Sequence, residues 1–372
     1  MGRLGKSNMT KQLIIIGIII LPFLLLILLM AMNPLDDSGS SHAYYKAMKS
    51  PPAEAAEWSE GGMYFKWSSS LTENEKFDPL NIFYRTFGSR ENPAILMIHG
   101  FPTSSYDFKE IIDELKNDYF IVVLDTPGYG FSDKPKDGFK YSIFEDADIV
   151  DTLIRDIIKL DRFTLLTHDK GDSVGLELLR DYQSGASAYT IENHIMLNGG
   201  IYLPKAQISN GQKLMRLPGI STLLMRLMPT KKFTKDFSKF MFIPELSSVE
   251  IENLETVFAY QGGVSVMPET IKYLDEREKY EVEWLESLKK SAVPTTIIWG
   301  EKDPVAVPAV ADHAWENYLK DRKAPAAYWR IPCAGHYLQN DQPELVAQLI
   351  RRAIGEEIEL DVSKNHCAPK QI

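Results

Sequence analysis

The 372-residue sequence predicts an α/β fold: a mostly parallel, eight-stranded sheet interrupted by a helical insertion and preceded by a membrane-spanning helix. Three observations predict it. Short apolar runs at Ala94 to His99, Phe120 to Leu124, Phe163 to Leu166 and Val293 to Trp299 read as strands buried on both faces, the pattern of parallel sheets. Helical stretches separate them, implying βαβ units with right-handed crossovers. From Tyr202 to about Leu288 the strand pattern stops and only helical stretches remain.

Taken in order, Leu13 to Met32 is an uncharged apolar run matching the ~20 residues a helix needs to cross a bilayer. Arg3, Lys6 and Lys11 precede it and Asp36 and Asp37 follow it, so the positive-inside rule places the N-terminus in the cytoplasm and the rest outside. A cleaved signal peptide is the competing reading. Its apolar core would be shorter and end in a small-residue cleavage site, so the run reads as an uncleaved anchor. A Ser-, Gly- and Pro-rich linker follows, then strands at Tyr64 to Ser70 and Leu80 to Gly88. The expected organisation is an N-terminus and anchor over 1–32, a linker over 33–60, a core over 61–201 and 289–360, a helical cap over 202–288 and an unstructured tail over 361–372.

A formal net charge of -10 argues against nucleic acid as the main partner. Cys333 and Cys367 are the chain's 2 cysteines, enough for one bridge in an oxidising compartment and too few for a metal cluster. Between Lys205 and Lys239 the charges are Lys205, Lys213, Arg216, Arg226, Lys231, Lys232, Lys235 and Lys239 against Asp236 alone. A solvated face on core-packing helices accounts for this run; a face leaning on anionic lipid is the sharper expectation.

The stretch Arg162 to Leu179 organises the rest. Its apolar run breaks at Thr167-His168-Asp169-Lys170-Gly171 and resumes with helical spacing, the signature of a strand, a sharp turn that lifts a nucleophile above the sheet, and a helix. Two registers fit. Asp169 can occupy the tip, or Gly171-Asp172-Ser173-Val174-Gly175 can be read as G-x-S-x-G with Ser173 as nucleophile. The second would push a carboxylate, an ammonium and a glycine into a buried strand, whereas the first ends the strand where its apolar residues end, so Asp169 is the preferred reading.

A carboxylate nucleophile needs a base, a partner orienting that base, and donors for an oxyanion. Asp303, in Gly300-Glu301-Lys302-Asp303-Pro304, and His336, in Gly335-His336, each follow a predicted strand, in the chain order nucleophile, acid, histidine. The oxyanion donors would be the backbone N–H groups of Phe101 and Lys170. His99 and His168 are expected to brace loops. The Lys170 ammonium would either hold Asp169 ionised or reach solvent.

These motifs, HGFP at 99–102, DTPGYGFSD at 125–133, HDKGDS at 168–173, GEKDP at 300–304 and GH at 335–336, resemble the epoxide hydrolase and haloalkane dehalogenase branch of the α/β-hydrolase fold over about 80–355. HDKGDSVGLELL, LNGGI at 197–201 and YLDEREKYEVEWLESL at 273–288 resemble the membrane-anchored mesoderm-specific transcript group within it. The resemblance implies a cofactor-free, two-step hydrolysis. Asp169 would attack an sp³ carbon to form an alkyl-enzyme ester, and His336, oriented by Asp303, would activate water to cleave it. Where dehalogenases of this branch cradle a halide, this chain has Lys170 and Phe101, which disfavours dehalogenation. Epoxide hydrolases use cap tyrosines as acids; Tyr273 falls at the position of one, and Tyr260 is a candidate by composition. The expected substrate is a small lipophilic epoxide or similar electrophile. A serine esterase using Ser173, and a catalytically idle lipid- or partner-binding protein, are the alternatives.

Overall fold

The computed structural model describes residues 52–185, 187–361 and 367–372. The run Leu13 to Met32 and the linker up to residue 51 lie outside them, and no helix among the described residues is long and apolar enough to cross a membrane.

Nine strands form one sheet: β1 Met63–Trp67, β2 Leu80–Phe87, β3 Ala94–Ile98, β4 Phe120–Leu124, β5 Arg162–His168, β6 Thr190–Leu197, β7 Thr295–Gly300, β8 Ala326–Ile331 and β9 Lys370–Gln371. Their spatial order is β1-β2-β4-β3-β5-β6-β7-β8-β9. All pairs from β4 through β8 are parallel, while β1 on β2, β2 on β4 and β8 on β9 are antiparallel. Every residue of β3, β4 and β7 is buried, as uninterrupted apolar runs in a sheet covered on both faces require. Each such Leu, Ile or Val contributes about 1.5–3 kcal/mol by leaving water.

Two expectations are corrected at the ends of the described chain. Residues 53–60, read as linker, form helix α1, Ala53–Glu60, whose Ala55 and Trp58 are buried and whose Ala55 N–H donates to Asn253 Oδ1 at 2.9 Å. The C-terminal tail is not wholly unstructured, because β9 adds a ninth strand to the expected eight and Cys367 is disulfide-bonded to Cys333 with the Cα atoms 5.9 Å apart. Local composition hid both: each segment is ordered by a partner far away in sequence.

Helices cover the sheet: α2 Lys109–Leu115, α3 Ile143–Thr152 and α4 Lys170–Gln183. Between β6 and β7 the described elements are all helical, namely α5 Asn210–Met215, α6 Ile220–Leu227, α7 Thr230–Met241, α8 Ser248–Ala259, α9 Gly263–Thr270 and α10 Tyr273–Lys290, with short 3₁₀ turns. This insertion is bolted to the core. Trp284 Nε1 on α10 donates to Glu177 Oε2 on α4 at 2.7 Å, and Ile143 N–H at the start of α3 donates to Glu276 Oε2 at 2.7 Å. After β7 come α11 Pro308–Ala314, α12 Leu338–Asp341 and α13 Pro343–Ile354.

Candidate active site

The parallel strands end at one edge of the sheet, and the loops that leave them there carry the polar groups. After β5, Asp169 takes φ 50° and ψ −110°, a strained conformation for a residue with a side chain, and α4 starts at the next residue. The close packing of this turn explains Gly171: a Cβ there would lie 2.3 Å from Ile98 O. Asp169 Oδ2 accepts from Phe101 N–H at 2.9 Å, so one carboxylate oxygen already sits on the backbone donor of the loop after β3. Ser173 lies inside α4, fully buried, with its Oγ accepting from Arg277 Nε at 2.9 Å.

After β7 and β8, His336 Nδ1–H donates to Asp303 Oδ2 at 2.7 Å. Asp303 is saturated with donors: Val305 N–H at 2.7 Å and Ala306 N–H at 2.9 Å reach Oδ1, and Asn198 Nδ2 reaches Oδ2 at 2.6 Å. Burial alone would raise its carboxyl, but the facing imidazole and these donors hold it below its ordinary value. Burial would lower His336, yet Asp303 first and then the Asp169 and Asp107 charges outweigh it and lift the imidazole to about 9.

Asn198 is the residue that sequence reasoning missed. It follows β6 at φ 44°, receives Gly300 N–H on Oδ1 at 2.8 Å, and donates to Gly335 O at 3.1 Å as well as to Asp303. One amide thus joins the loops carrying Asp303 and His336. The signal was Asn198-Gly199-Gly200, a turn at a strand end with an amide that tolerates the left-handed region.

Arg277, on α10, was also not anticipated. Only 1% exposed, it donates from Nη2 to Asp169 O at 3.1 Å as well as to Ser173, so the insertion grips the backbone of the turn.

Other expected residues fall in different places. The Lys170 ammonium turns from Asp169 to the buried carboxylate of Asp146 and also donates to Thr126 Oγ1 at 3.4 Å. Burial pushes Asp146 up to about 6 even though Lys170 pulls it down. Tyr260 is remote from the site: it packs on Phe131, under the ammonium of Lys134. Tyr273 stacks obliquely on Phe101, ring centroids 5.7 Å apart, with the Arg277 guanidinium carbon 4.8 Å from its own ring centroid, and it is not among the residues lining the cavity beside Asp169. His99 donates to Gly100 O at 2.8 Å and accepts from Thr126 N–H at 3.1 Å, while His168 donates to His336 O at 2.9 Å. Both are driven down by burial, to about 3 and about 4, so they brace these loops as neutral rings.

Asp169 and His336 line one cavity of about 690 Å³, within the size range of small-molecule sites. Phe101, Pro102, Pro304 and Val305 complete its floor; Met215, Met228, Phe233, Phe237, Phe240 and Met241 of the insertion form the apolar part of its roof, and Gln207, Ser209, Asn210, Gln212 and Asp236 the polar part. The wall suits an apolar molecule with one reactive polar centre.

Comparison with known proteins agrees with this architecture. Residues 93–206 match the family model described as alpha/beta hydrolase fold. The chain is 30% identical over 294 residues to the putative hydrolase LipZ of Mycobacterium tuberculosis, covering 78% of this chain and 95% of that protein. It is 34% identical over 256 residues to the mesoderm-specific transcript protein of Mus musculus, covering 67% and 73%, and 25% identical over 287 residues to epoxide hydrolase 3 of Xenopus tropicalis, covering 75% and 76%. Among solved structures, a haloalkane dehalogenase DbeA loop variant from Bradyrhizobium elkanii superposes with a TM-score of 0.62 at 20% identity, over 79% of this chain and 96% of that one, a likeness of fold. Sequence identity along nearly the whole mycobacterial hydrolase, joined to a parallel sheet whose strand ends meet at one cavity, makes this chain a hydrolase of the α/β-hydrolase family.

Proposed function

We propose that the chain hydrolyses a small lipophilic electrophile, epoxide-like, through an ester on Asp169, without a cofactor. The observation that carries the reading is Asp169 itself: it stands at the strained tip, one oxygen held by Phe101 N–H, in the same cavity wall as a histidine bonded to Asp303. Oδ1 would attack the substrate carbon and open its C–O bond, leaving an alkoxide that takes a proton. We assign that proton to Tyr273, whose phenol is raised by burial first and by the Asp169 charge second and so stays protonated. Its place behind Phe101 means that the ring must shift to admit the substrate oxygen.

In the second step His336 would take a proton from water, whose oxygen attacks Asp169 Cγ. Negative charge then gathers on Oδ2, against the N–H groups of Phe101 and Lys170, before the C–O bond breaks and the product alcohol leaves with the proton from His336; the second proton of the water, left on the Asp169 carboxyl, passes to the Tyr273 phenolate and restores both groups. Esterification removes the Asp169 charge, one of the contributions that hold His336 near 9. The imidazole therefore becomes easier to deprotonate at the step that needs a base. Ser173 is a poorer nucleophile candidate, because its hydroxyl is buried in a helix and engaged by Arg277.

The test is an epoxide panel with mass spectrometry. His336→Gln should accumulate added mass on the peptide containing Asp169, Asp169→Asn should lose turnover by several orders of magnitude, and Tyr273→Phe should slow ester formation about 10²-fold or more. Fluorophosphonate labelling abolished by Ser173→Ala, with Asp169→Asn still active, would reverse the assignment. Equal turnover in wild type, Asp169→Asn and His336→Ala would point to a binding protein.

A further inference from the structure

The first half of the insertion presents apolar side chains outward. In α6, Ser221 and Met225 are buried while Ile220, Leu223 and Leu224, at i, i+3 and i+4, are 61%, 40% and 39% exposed. Leu214 and Leu217 just before them are 44% and 47% exposed. A water-facing helix normally turns such a stripe inward, so a contiguous outward one marks a surface that something covers.

Charge says what covers it. On a chain of net charge -10, this is a stretch in which cations dominate. Arg216, Arg226 and Lys232 are paired with Asp275, Asp137 and Asp236, whereas Lys213, Lys235 and Lys239 have no carboxylate at ion-pair distance among the described residues. A second copy docking through the same patch would set these cations against each other. An anionic bilayer satisfies both features, taking leucines into the acyl boundary and lysines onto its phosphates.

We infer that the outer face of α5, α6 and α7 is a docking surface for an anionic lipid bilayer, with the cavity entrance beside it. Phe240 makes the connection: it is 51% exposed on the surface and also lines the cavity that holds Asp169 and His336. An apolar substrate dissolved in lipid would then reach the cavity without crossing water. The inference concerns this face alone and does not depend on which residue attacks.

The test uses the full chain. Both native cysteines are in the disulfide, so Ile220→Cys supplies the free thiol for an environment-sensitive NBD probe, and Ile157→Cys on the core supplies the control site. The protein is reconstituted into phosphatidylcholine vesicles with and without phosphatidylserine. With phosphatidylserine present, the probe at 220 should shift to the blue and lose iodide quenching several-fold, while the probe at 157 stays quenched. Lys213→Glu, Lys235→Glu and Lys239→Glu together should abolish the change. Equal signals at 220 in both vesicle types overturn the inference, as does protection in detergent that rises with protein concentration alongside a dimer, which would assign the patch to a second copy.

Discussion

At His336 the local electrostatics make a claim about folding as well as chemistry. Its imidazole titrates at about 6.5 when unfolded and at about 9 in the folded chain, because Asp303 and Asp169 favour the cation more than burial opposes it. A raised folded value means that the native state binds this proton more tightly. Its stabilisation is therefore complete below about pH 6.5 and disappears as pH climbs through about 9. Urea unfolding of wild type and His336→Gln across pH 6 to 10 should show a stability difference that shrinks over that window; parallel curves would contradict the assignment. Asp303 acts oppositely: its lowered carboxyl stabilises above its unfolded value and loses that contribution as pH falls. Asp169 and His336 were legible in sequence because each sits at the end of an apolar run. The destination of the Lys170 ammonium was not, since Asp146 lies on another helix.

The working unit among the elements is the edge where β3, β5, β6, β7 and β8 finish. Phe101, Asp169, Asn198, Asp303 and His336 leave from those five strands, so strand register converts distant sequence positions into one hydrogen-bonded set. The turn after β5 depends on two backbones passing closely at Gly171 and Ile98 O. Gly171→Ala places a methyl at 2.3 Å from that oxygen and should cost about 1–3 kcal/mol while displacing Asp169 from Phe101 N–H. A thermal melt indistinguishable from wild type, with unchanged turnover, would show that the turn relaxes freely. The helical insertion was expected from its missing strands, but its grip on the turn through Arg277 was not, because that guanidinium is 108 residues from the carbonyl it holds.

Across the whole molecule, the C-terminal strand is fastened beside the histidine loop. The Cys333–Cys367 bridge closes a 34-residue separation three positions before His336 and continues into β9 on the sheet edge. Loop-closure entropy for that length gives about 3–4 kcal/mol, so Cys367→Ser should lower the unfolding free energy by that order and shift the melt downward. A melt unaffected by the substitution or by reductant would mean that the bridge does not form in solution. A bridge of this kind persists in an oxidising compartment, the side of a membrane on which the charges flanking Leu13 to Met32 lead one to expect this domain.

Sequence alone determined the buried parallel strands, the interruption by helices, and the order of Asp169, Asp303 and His336, because each is written in a few consecutive residues whose periodicity and turn chemistry are local. Tertiary structure decided the rest: Asn198 tying two loops, Lys170 paired with Asp146 rather than Asp169, Tyr260 set away from the cavity, Tyr273 behind Phe101, and helix α1 and strand β9 drawn onto the fold. Those contacts join residues distant in the chain, and their energies depend on which side chains the packed core brings together, a quantity no short window of residues contains.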